Sequence, residues 1–301
     1  MARSYTTAPS ALAGTMGEAL AEFIGTMVLI LFGDGCVATF VLFNNLGGAP
    51  TPFANQWIVV VFGWGLAVML GIYVAGAVSG AHLNPAVTLA LAIRGKLSWS
   101  KVGPYMLAQV LGAFVAAAIL YFVYHGAIIN AAGTKNVADA VGGVFYTAPK
   151  SFVGVFGAFC DEFVGTALLV GLIVAITDGR NQPVQANLNP LIIGLLIMAI
   201  GASFGLNTGY AINPARDFGP RLWIALVSGG ASFTSYSWVP IVAPLLGGVT
   251  GALIYDYTIG KVLAARNMGP SGNTVTKGES VREPAPQGEI RGRAIREPYV
   301  E

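Results

Sequence analysis

The feature that most constrains this chain is a tripeptide that occurs twice within long apolar stretches. The two copies are Asn84-Pro85-Ala86 and Asn213-Pro214-Ala215. Asn caps helices well, because its side-chain oxygen accepts a hydrogen bond from a backbone N–H of the first turn. Pro suits the first helical position, where an N–H would have no partner inside the helix. Each tripeptide therefore predicts the start of a helix.

Composition indicates that these helix starts lie inside a membrane. Hydrophobic residues make up 55% of the 301 residues, and 11 of the 30 charged residues lie in 264–301. A bilayer crossing needs about 20 apolar residues. Six segments meet this requirement: Gly17–Leu42, Trp57–Ala77, Val102–Tyr124, Phe152–Thr177, Leu188–Phe204 and Val239–Ile259.

The ends of the chain differ from this apolar body. The first apolar segment is too long for the core of a cleavable signal peptide. We therefore predict a cytoplasmic segment at 1–16, a membrane-spanning body at 17–262 and a disordered tail at 263–301, which is rich in mixed charge. Cys36 and Cys160 lie within apolar segments, where packing is favoured over a disulfide or a metal site.

The body is an inverted duplication. Ala21–Thr26 (AEFIGT) recurs as Asp161–Thr166 (DEFVGT), and the Asn-Pro-Ala tripeptides follow in the same order. The halves, about 17–125 and 152–262, are joined by a long connection around Gly126–Lys150. Since each half has three spans, the second half enters the membrane from the opposite side.

The inversion places two short helices end to end at the middle of the membrane. Residues Asn84–Ile93 would form a helix of about 15 Å, half of a hydrocarbon core of about 30 Å. Asn213 to about Trp223 would do the same from the other side. Non-helical backbone at this depth must line a wet cavity or be buried in protein. We therefore predict a pore lined by backbone carbonyls in the two approaches, Ser79–Leu83 and Asn207–Ile212.

Basic residues predict the orientation. Seven lie on one side of the membrane and two on the other, when Arg216 and Arg221 of the second short helix are left out. The seven are Arg3, Arg94, Lys96, Lys101, Arg180, Lys261 and Arg266, and the two are Lys135 and Lys150. Since positive charge accumulates in cytoplasmic loops, both termini are predicted to be cytoplasmic.

These motifs resemble those of the major intrinsic proteins, the family of aquaporins and glycerol facilitators. The resemblance covers about Glu18–Ile259 and rests on motifs that are duplicated, ordered and correctly spaced. It implies an all-α, aquaporin-like fold of six membrane helices and two re-entrant half-helices, with one pore per subunit and four subunits per assembly in the cell membrane. The pore carbonyls would belong to Gly80, Ala81, His82, Gly209, Tyr210 and Ala211.

The resemblance also implies where the solute is selected. The selectivity filter would consist of Trp64, Gly201, Tyr210 and Arg216. Water-selective members resemble one another in having His where this chain has Gly201. Gly would widen the slot, while Trp64 and Tyr210 form an apolar corner and Arg216 offers N–H donors to hydroxyl groups. Such an amphipathic slot suits glycerol.

Further residues resemble the glycerol-facilitator pattern, with one departure. Asp217 and Arg221 resemble the glycerol-type signature and also form an i,i+4 pair that favours the half-helix. Glycerol facilitators commonly have Phe where this chain has Tyr210, so the relative rates for glycerol, urea and water stay open.

Three other polar residues have more than one interpretation. Glu22 and Glu162 are intramembrane carboxyl groups, which either couple to protons or accept N–H donors from the re-entrant loops. Their duplication favours the second role. His82 would be a pH sensor or a metal ligand, or would contribute only its backbone carbonyl to the pore wall. We favour the last interpretation.

The motifs bear on three classes of function. A passive channel for glycerol, water and possibly urea fits every motif, and no cofactor, metal or nucleic acid is expected. A coupled transporter shares inverted repeats but normally has a charged site at the midplane, where this chain offers two Asn. A membrane enzyme would need a converging nucleophile or acid–base cluster, and the sequence suggests none.

Overall fold

The computed structural model describes residues 10–46 and 48–269, which form a mostly helical protein. In chain order the α-helices are α1 Thr15–Leu42, α2 Trp57–Ser79, α3 Pro85–Ile93, α4 Trp99–Val123, α5 His125–Ala132, α6 Val137–Phe145, α7 Val155–Thr177, α8 Asn189–Thr208, α9 Pro214–Ser228, α10 Val239–Tyr255 and α11 Lys261–Ala265. A 3₁₀ turn at Ala11–Ala13 precedes α1, and strands β1 Asn45–Leu46 and β2 Ala49–Pro50 pair antiparallel after it.

Six of these helices are long and apolar enough to cross a membrane: α1, α2, α4, α7, α8 and the continuous stretch from α10 to α11. The six predicted spans are therefore confirmed, with ends that shift by a few residues. The last span extends furthest, because a π-helical turn at Asp256–Gly260 joins α10 to α11. Helix α11 continues to Ala265, two residues past the predicted start of the tail at 263. Residues 270–301 of the tail lie outside the described part.

The two short helices begin where the tripeptides predict. Asn84 caps α3 and Asn213 caps α9, and each cap is followed by Pro at the first helical position. Helix α9 is longer than predicted: it continues to Ser228, where Gly229 ends it in the left-handed conformation with φ 66°. The reason is that Leu222–Val227 remain suitable for a helix, so only the glycine provides a stop.

The two halves repeat the same packing. Helix α4 crosses α1 where Gly112 faces the backbone carbonyl of Phe23, and α10 crosses α7 where Gly247 faces that of Phe163. A Cβ at either glycine would collide with that carbonyl, so the helices approach closely only because the side chain is absent. Phe23 and Phe163 occupy matching places in the duplicated AEFIGT and DEFVGT motifs.

The long connection between the halves, around Gly126–Lys150, is largely helical. It contains α5 and α6, and α6 is capped by the side chain of Asn136. Ile128, Val141 and Phe145 of this connection are buried in one cluster with residues of α1, α4 and α9. These two helices were not predicted because their apolar runs are short, and the burial of those runs depends on helices far away in the chain.

Ion pairs fix the connections on one side of the bundle. Arg94 after α3 pairs with Asp256 at 2.7 Å, and Lys101 of α4 pairs with Glu18 at 2.8 Å. Arg180 pairs with Asp178 in the connection between α7 and α8, and this guanidinium holds the pKa of the Asp178 carboxyl at about 2. Three of the basic residues counted for orientation are therefore also structural partners of acids.

Candidate functional site

Each half-helix is preceded by a short strained backbone segment, and the two segments follow the same path. In the first, Gly80, Ala81 and Leu83 have φ of 84°, 51° and 52°. In the second, the matching residues Gly209, Tyr210 and Ile212 have φ of 102°, 38° and 42°. Left-handed backbone costs a non-glycine residue about 1–2 kcal/mol. Both segments therefore need external support.

In the first half Glu22 of α1 gives that support. Its carboxylate is fully buried and accepts hydrogen bonds from the backbone N–H groups of His82 and Leu83, at 2.9 and 2.7 Å. The Ser79 hydroxyl donates to it at 2.6 Å and the Gln109 side chain of α4 at 2.8 Å. Four donors thus surround this carboxylate, which compensates for its removal from water.

In the second half Glu162 of α7 occupies the matching place. It accepts from the N–H groups of Ala211 and Ile212, at 2.9 and 2.8 Å, and lies 2.8 Å from the Thr208 hydroxyl. The neighbouring Asp161 also lies 2.8 Å from this hydroxyl. The single hydrogen of this hydroxyl can be donated to only one of the two acids at a time. The second half therefore has one more acid beside its re-entrant segment than the first half, and fewer donors to its supporting Glu.

The two Asn residues join the half-helices to each other. Oδ1 of Asn84 accepts from the N–H of Ala86, and Oδ1 of Asn213 accepts from that of Ala215. Across the twofold, Nδ2 of Asn84 donates to the carbonyl of Ile212, and Nδ2 of Asn213 donates to that of Leu83, both at 2.8 Å. Each amide keeps one further N–H, and both Asn residues line a cavity.

Two cavities open on either side of one narrow place, which we call the constriction. The inner cavity extends past Asn84 and Asn213, and the outer one is lined by α1, α2, α8 and residues 143 and 146–150. Trp64 and Arg216 line both cavities, so the constriction lies between these side chains. The predicted carbonyl residues Gly80, Ala81, His82, Tyr210 and Ala211 line the inner cavity, and Gly209 lines the outer one.

The structure brings Gly201 and Tyr210 together in a way that the sequence did not suggest. A Cβ at Gly201 would lie 2.7 Å from Cζ of the Tyr210 ring, so the phenol covers the glycine. Tyr210 also lines the inner cavity, whereas Gly201 lines neither of the two cavities. The absence of a side chain at Gly201 therefore provides space for the ring of Tyr210 rather than directly for a solute.

The Arg216 guanidinium is held on three sides. Its Nη1 donates to the carbonyl of Phe145 at 3.1 Å and to Oδ1 of Asp34 at 3.3 Å, and its Cζ lies 4.2 Å from the centre of the Trp64 ring. Sequence analysis passed over Asp34 and Phe145. Asp34 carried a usable signal, since it is a charged residue inside an apolar span, but the Phe145 carbonyl carried none.

Asp217 and Arg221 lie behind the constriction rather than in it. Arg221 donates to Asp217 at 2.7 Å, and Asp217 also accepts from the N–H and hydroxyl of Thr147, at 2.8 and 2.7 Å. Arg221 further donates to the carbonyls of Thr147 and Ser232. This buried pair therefore ties α9 to the connection after α6 and to the loop before α10.

His82 and the cysteines have structural contacts. Nδ1 of His82 lies 3.2 Å from the Thr88 hydroxyl, and its ring packs edge-on against Tyr105. Cys36 donates to the carbonyl of Gly33 at 2.9 Å, and both cysteines are free thiols in this part of the chain.

Known proteins resemble this chain over most of its length. Residues 10–255 match the family described as major intrinsic protein. An aquaglyceroporin-2 of Rhizophagus irregularis is 46% identical over 79% of this chain and 76% of its own length. A probable glycerol uptake facilitator protein of Thermotoga maritima is 45% identical over 80% of this chain and 99% of its own.

A solved structure gives the same result for the fold. The X-ray structure of the aquaglyceroporin from Plasmodium falciparum matches with a TM-score of 0.73 and 34% identity, over 84% of this chain and all of that one. The inverted repeat of six spans and two half-helices predicted from the sequence is thus also the fold found by comparison.

Proposed function

Because the chain belongs to the major intrinsic protein family, we propose that it is a passive membrane channel for small neutral solutes. It conducts glycerol and water down their gradients. The relatives named as glycerol facilitator and aquaglyceroporin support this solute class. The single observation that carries the proposal is the constriction itself, where an indole and a guanidinium separate two cavities.

The constriction has the chemistry that a polyol needs. Trp64 and Tyr210 offer an apolar surface to the carbon backbone, and Arg216 offers N–H donors to hydroxyl oxygens. Gly201 contributes indirectly, because it allows the Tyr210 ring to lie back against α8. We assign solute selection to these four residues, with urea as a further solute of the right size and polarity.

Beyond the constriction, the two Asn side chains guide the solute through the middle of the membrane. Their free N–H groups donate to a solute or water oxygen, next to carbonyls of the re-entrant segments. The N-termini of α3 and α9 meet there, and each adds a positive potential equivalent to about half a charge. Together with Arg216 this potential excludes protons and other cations, whereas neutral solutes pass.

The setting of the channel follows from the same reasoning. We assign it to the cell membrane with both termini in the cytoplasm, since basic residues accumulate on that side. Four copies form the assembly, with one pore in each. Residues 17–262 form the channel, and Glu22 and Glu162 support the re-entrant loops rather than carry protons.

Flux measurements test the proposal. Purified protein in liposomes is exposed to gradients of water, glycerol, urea and a larger polyol, and the volume change is followed by light scattering. We expect fast glycerol flux that is independent of membrane voltage and of a pH gradient. Flux that responds to either gradient would instead identify a coupled transporter, and the absence of glycerol flux above protein-free liposomes would refute the proposed solute.

A further inference from the structure

The geometry around Arg216 assigns a role to Asp34, a residue that lies behind the pore wall. Asp34 is on α1 in the first half and Arg216 is on α9 in the second, 182 residues apart in the chain. Asp34 is fully buried and lines neither cavity, so it does not touch a solute in transit. Its Oδ1 accepts from Arg216, and its Oδ2 has no hydrogen-bond partner among the described residues.

Charge balance distinguishes Asp34 from the other nearby acid. Asp217 follows Arg216 in the chain, but both of its oxygens accept from Arg221 and one also accepts from Thr147. Asp34 is the carboxylate within ion-pair distance of Arg216 among the described residues. A buried guanidinium with a neutral partner only, the Phe145 carbonyl, would leave an unbalanced charge in the constriction.

The other half of the molecule shows what this position contains when no arginine is present. Val87 follows the first tripeptide as Arg216 follows the second, and Val174 follows Glu162 by twelve residues, as Asp34 follows Glu22. Val87 and Val174 are buried in one apolar cluster. The ion pair at the constriction thus replaces an apolar pair at the matching place, so the acid and the arginine occur together.

We infer that Asp34 is a positioning residue that orients the Arg216 guanidinium and offsets part of its charge, and thereby makes the constriction select neutral solutes over small carboxylate anions. The inference rests on the proposed function, because it concerns the selectivity of the same pore. In a narrow and poorly solvated pore, a single fixed charge strongly changes the energy of a passing ion. A neutral solute is much less affected.

The first experiment compares Asp34→Asn with wild type in liposomes, with glycerol and formate as solutes at neutral pH. The amide oxygen still accepts from Arg216, so glycerol flux should stay within about twofold. Formate flux should rise by about threefold or more, because the guanidinium is no longer balanced. Asp34→Glu keeps the charge and should keep the wild-type ratio of formate to glycerol flux.

Asp256→Asn is the matched control. It removes the carboxylate of a different ion pair, the one between Asp256 and Arg94. Neither of these two residues lines either cavity or the constriction. Its ratio of formate to glycerol flux should equal that of wild type. An unchanged ratio in Asp34→Asn overturns the inference. If wild type itself passes no glycerol, the proposed function fails instead, so the two failures are distinguished.

The second experiment removes the arginine and measures cation leak. Arg216→Val leaves the Asp34 carboxylate without its partner near the constriction, so protons and sodium should leak. In the double variant of Arg216→Val and Asp34→Asn, the cation leak should be at least about threefold lower than in Arg216→Val alone, since no negative charge remains to attract cations. Equal leak in the single and double variants overturns the role of Asp34 even if Asp34→Asn alone does not insert.

Discussion

The two halves of this channel share a backbone path but differ in the side chain that follows each Asn-Pro-Ala tripeptide. The re-entrant segments match in φ, in their capping Asn residues and in their supporting Glu residues. The first half has Val87 and Val174 where the second has Arg216 and Asp34. The duplicated backbone therefore lines both cavities, and we propose that side chains of the second half, with Asp34, make one end of the pore selective.

The supports of the two segments differ as well. Glu22 receives a hydrogen bond from Gln109, which precedes Gly112 by three residues, whereas Pro244 precedes the matching Gly247 and offers no side-chain donor. Glu162 has instead a second acid beside it, Asp161, near the same Thr208 hydroxyl. Equal backbones are thus held by unequal sets of donors.

The largest expected effect comes from moving the ion pair to the first half. Val87→Arg places a charge in the apolar cluster of Val87 and Val174, which should cost about 3–5 kcal/mol of stability. Adding Val174→Asp should restore part of that loss. Apparent unfolding midpoints in detergent measure both, with Val87→Leu as the control. A double variant no more stable than Val87→Arg would mean that the two positions do not correspond.

The next effect concerns the two supporting acids. Glu22→Gln replaces one of the two carboxylate oxygens, each of which accepts from two donors, by an amide N–H₂ and should cost about 2–4 kcal/mol. Glu162→Gln should cost less, about 1–2 kcal/mol, because the Thr208 hydroxyl can donate to Asp161 and accept from the new amide. Thermal unfolding in detergent compares them.

Glu18→Gln is the control for these two variants. It lies one helical turn before Glu22 and pairs with Lys101 in a partly exposed place, so its unfolding midpoint should change little. Equal midpoints for Glu22→Gln and Glu162→Gln would show that the unequal donor sets have no energetic consequence.

A third prediction tests where the pore selects its solute. Gly201→His must displace the Tyr210 ring into the constriction, so glycerol flux should fall about tenfold or more while water flux is largely kept. Ile72→His changes the matching position of the first half, which lines the wider inner cavity, and glycerol flux should fall less than about threefold. Liposome flux assays measure both variants. Similar losses of glycerol flux would contradict solute selection at the constriction.

The smallest effect tests the strained backbone. Ala81 has a φ of 51°, so Ala81→Gly should stabilise the protein by up to about 1 kcal/mol. Ala211 is buried but is not among the residues with positive φ, so Ala211→Gly should destabilise by about 0.5–1 kcal/mol. The unfolding midpoint should shift up in Ala81→Gly and down in Ala211→Gly, relative to wild type. Shifts in the same direction would argue against strain at Ala81.

The sequence by itself determined the elements of this protein and their symmetry. Apolar length defines the six spans, and an Asn followed by Pro defines where each half-helix begins; both signals are local, so they need no knowledge of neighbours. The duplicated motifs then fix the inversion, since three spans per half leave no other orientation. The sequence also favoured loop support over proton coupling for Glu22 and Glu162, because each motif recurs with its re-entrant segment.

The tertiary structure alone decided how the constriction is built. Arg216 meets Asp34 and the Phe145 carbonyl across 182 and 71 residues, and no local pattern marks such contacts. Likewise, Tyr210 fills the space at Gly201 only because α8 and the second re-entrant segment pack together. The physical reason is that helices form from short-range capping and apolar patterns. The charge, shape and polarity of a pore instead depend on which distant side chains meet when those helices pack.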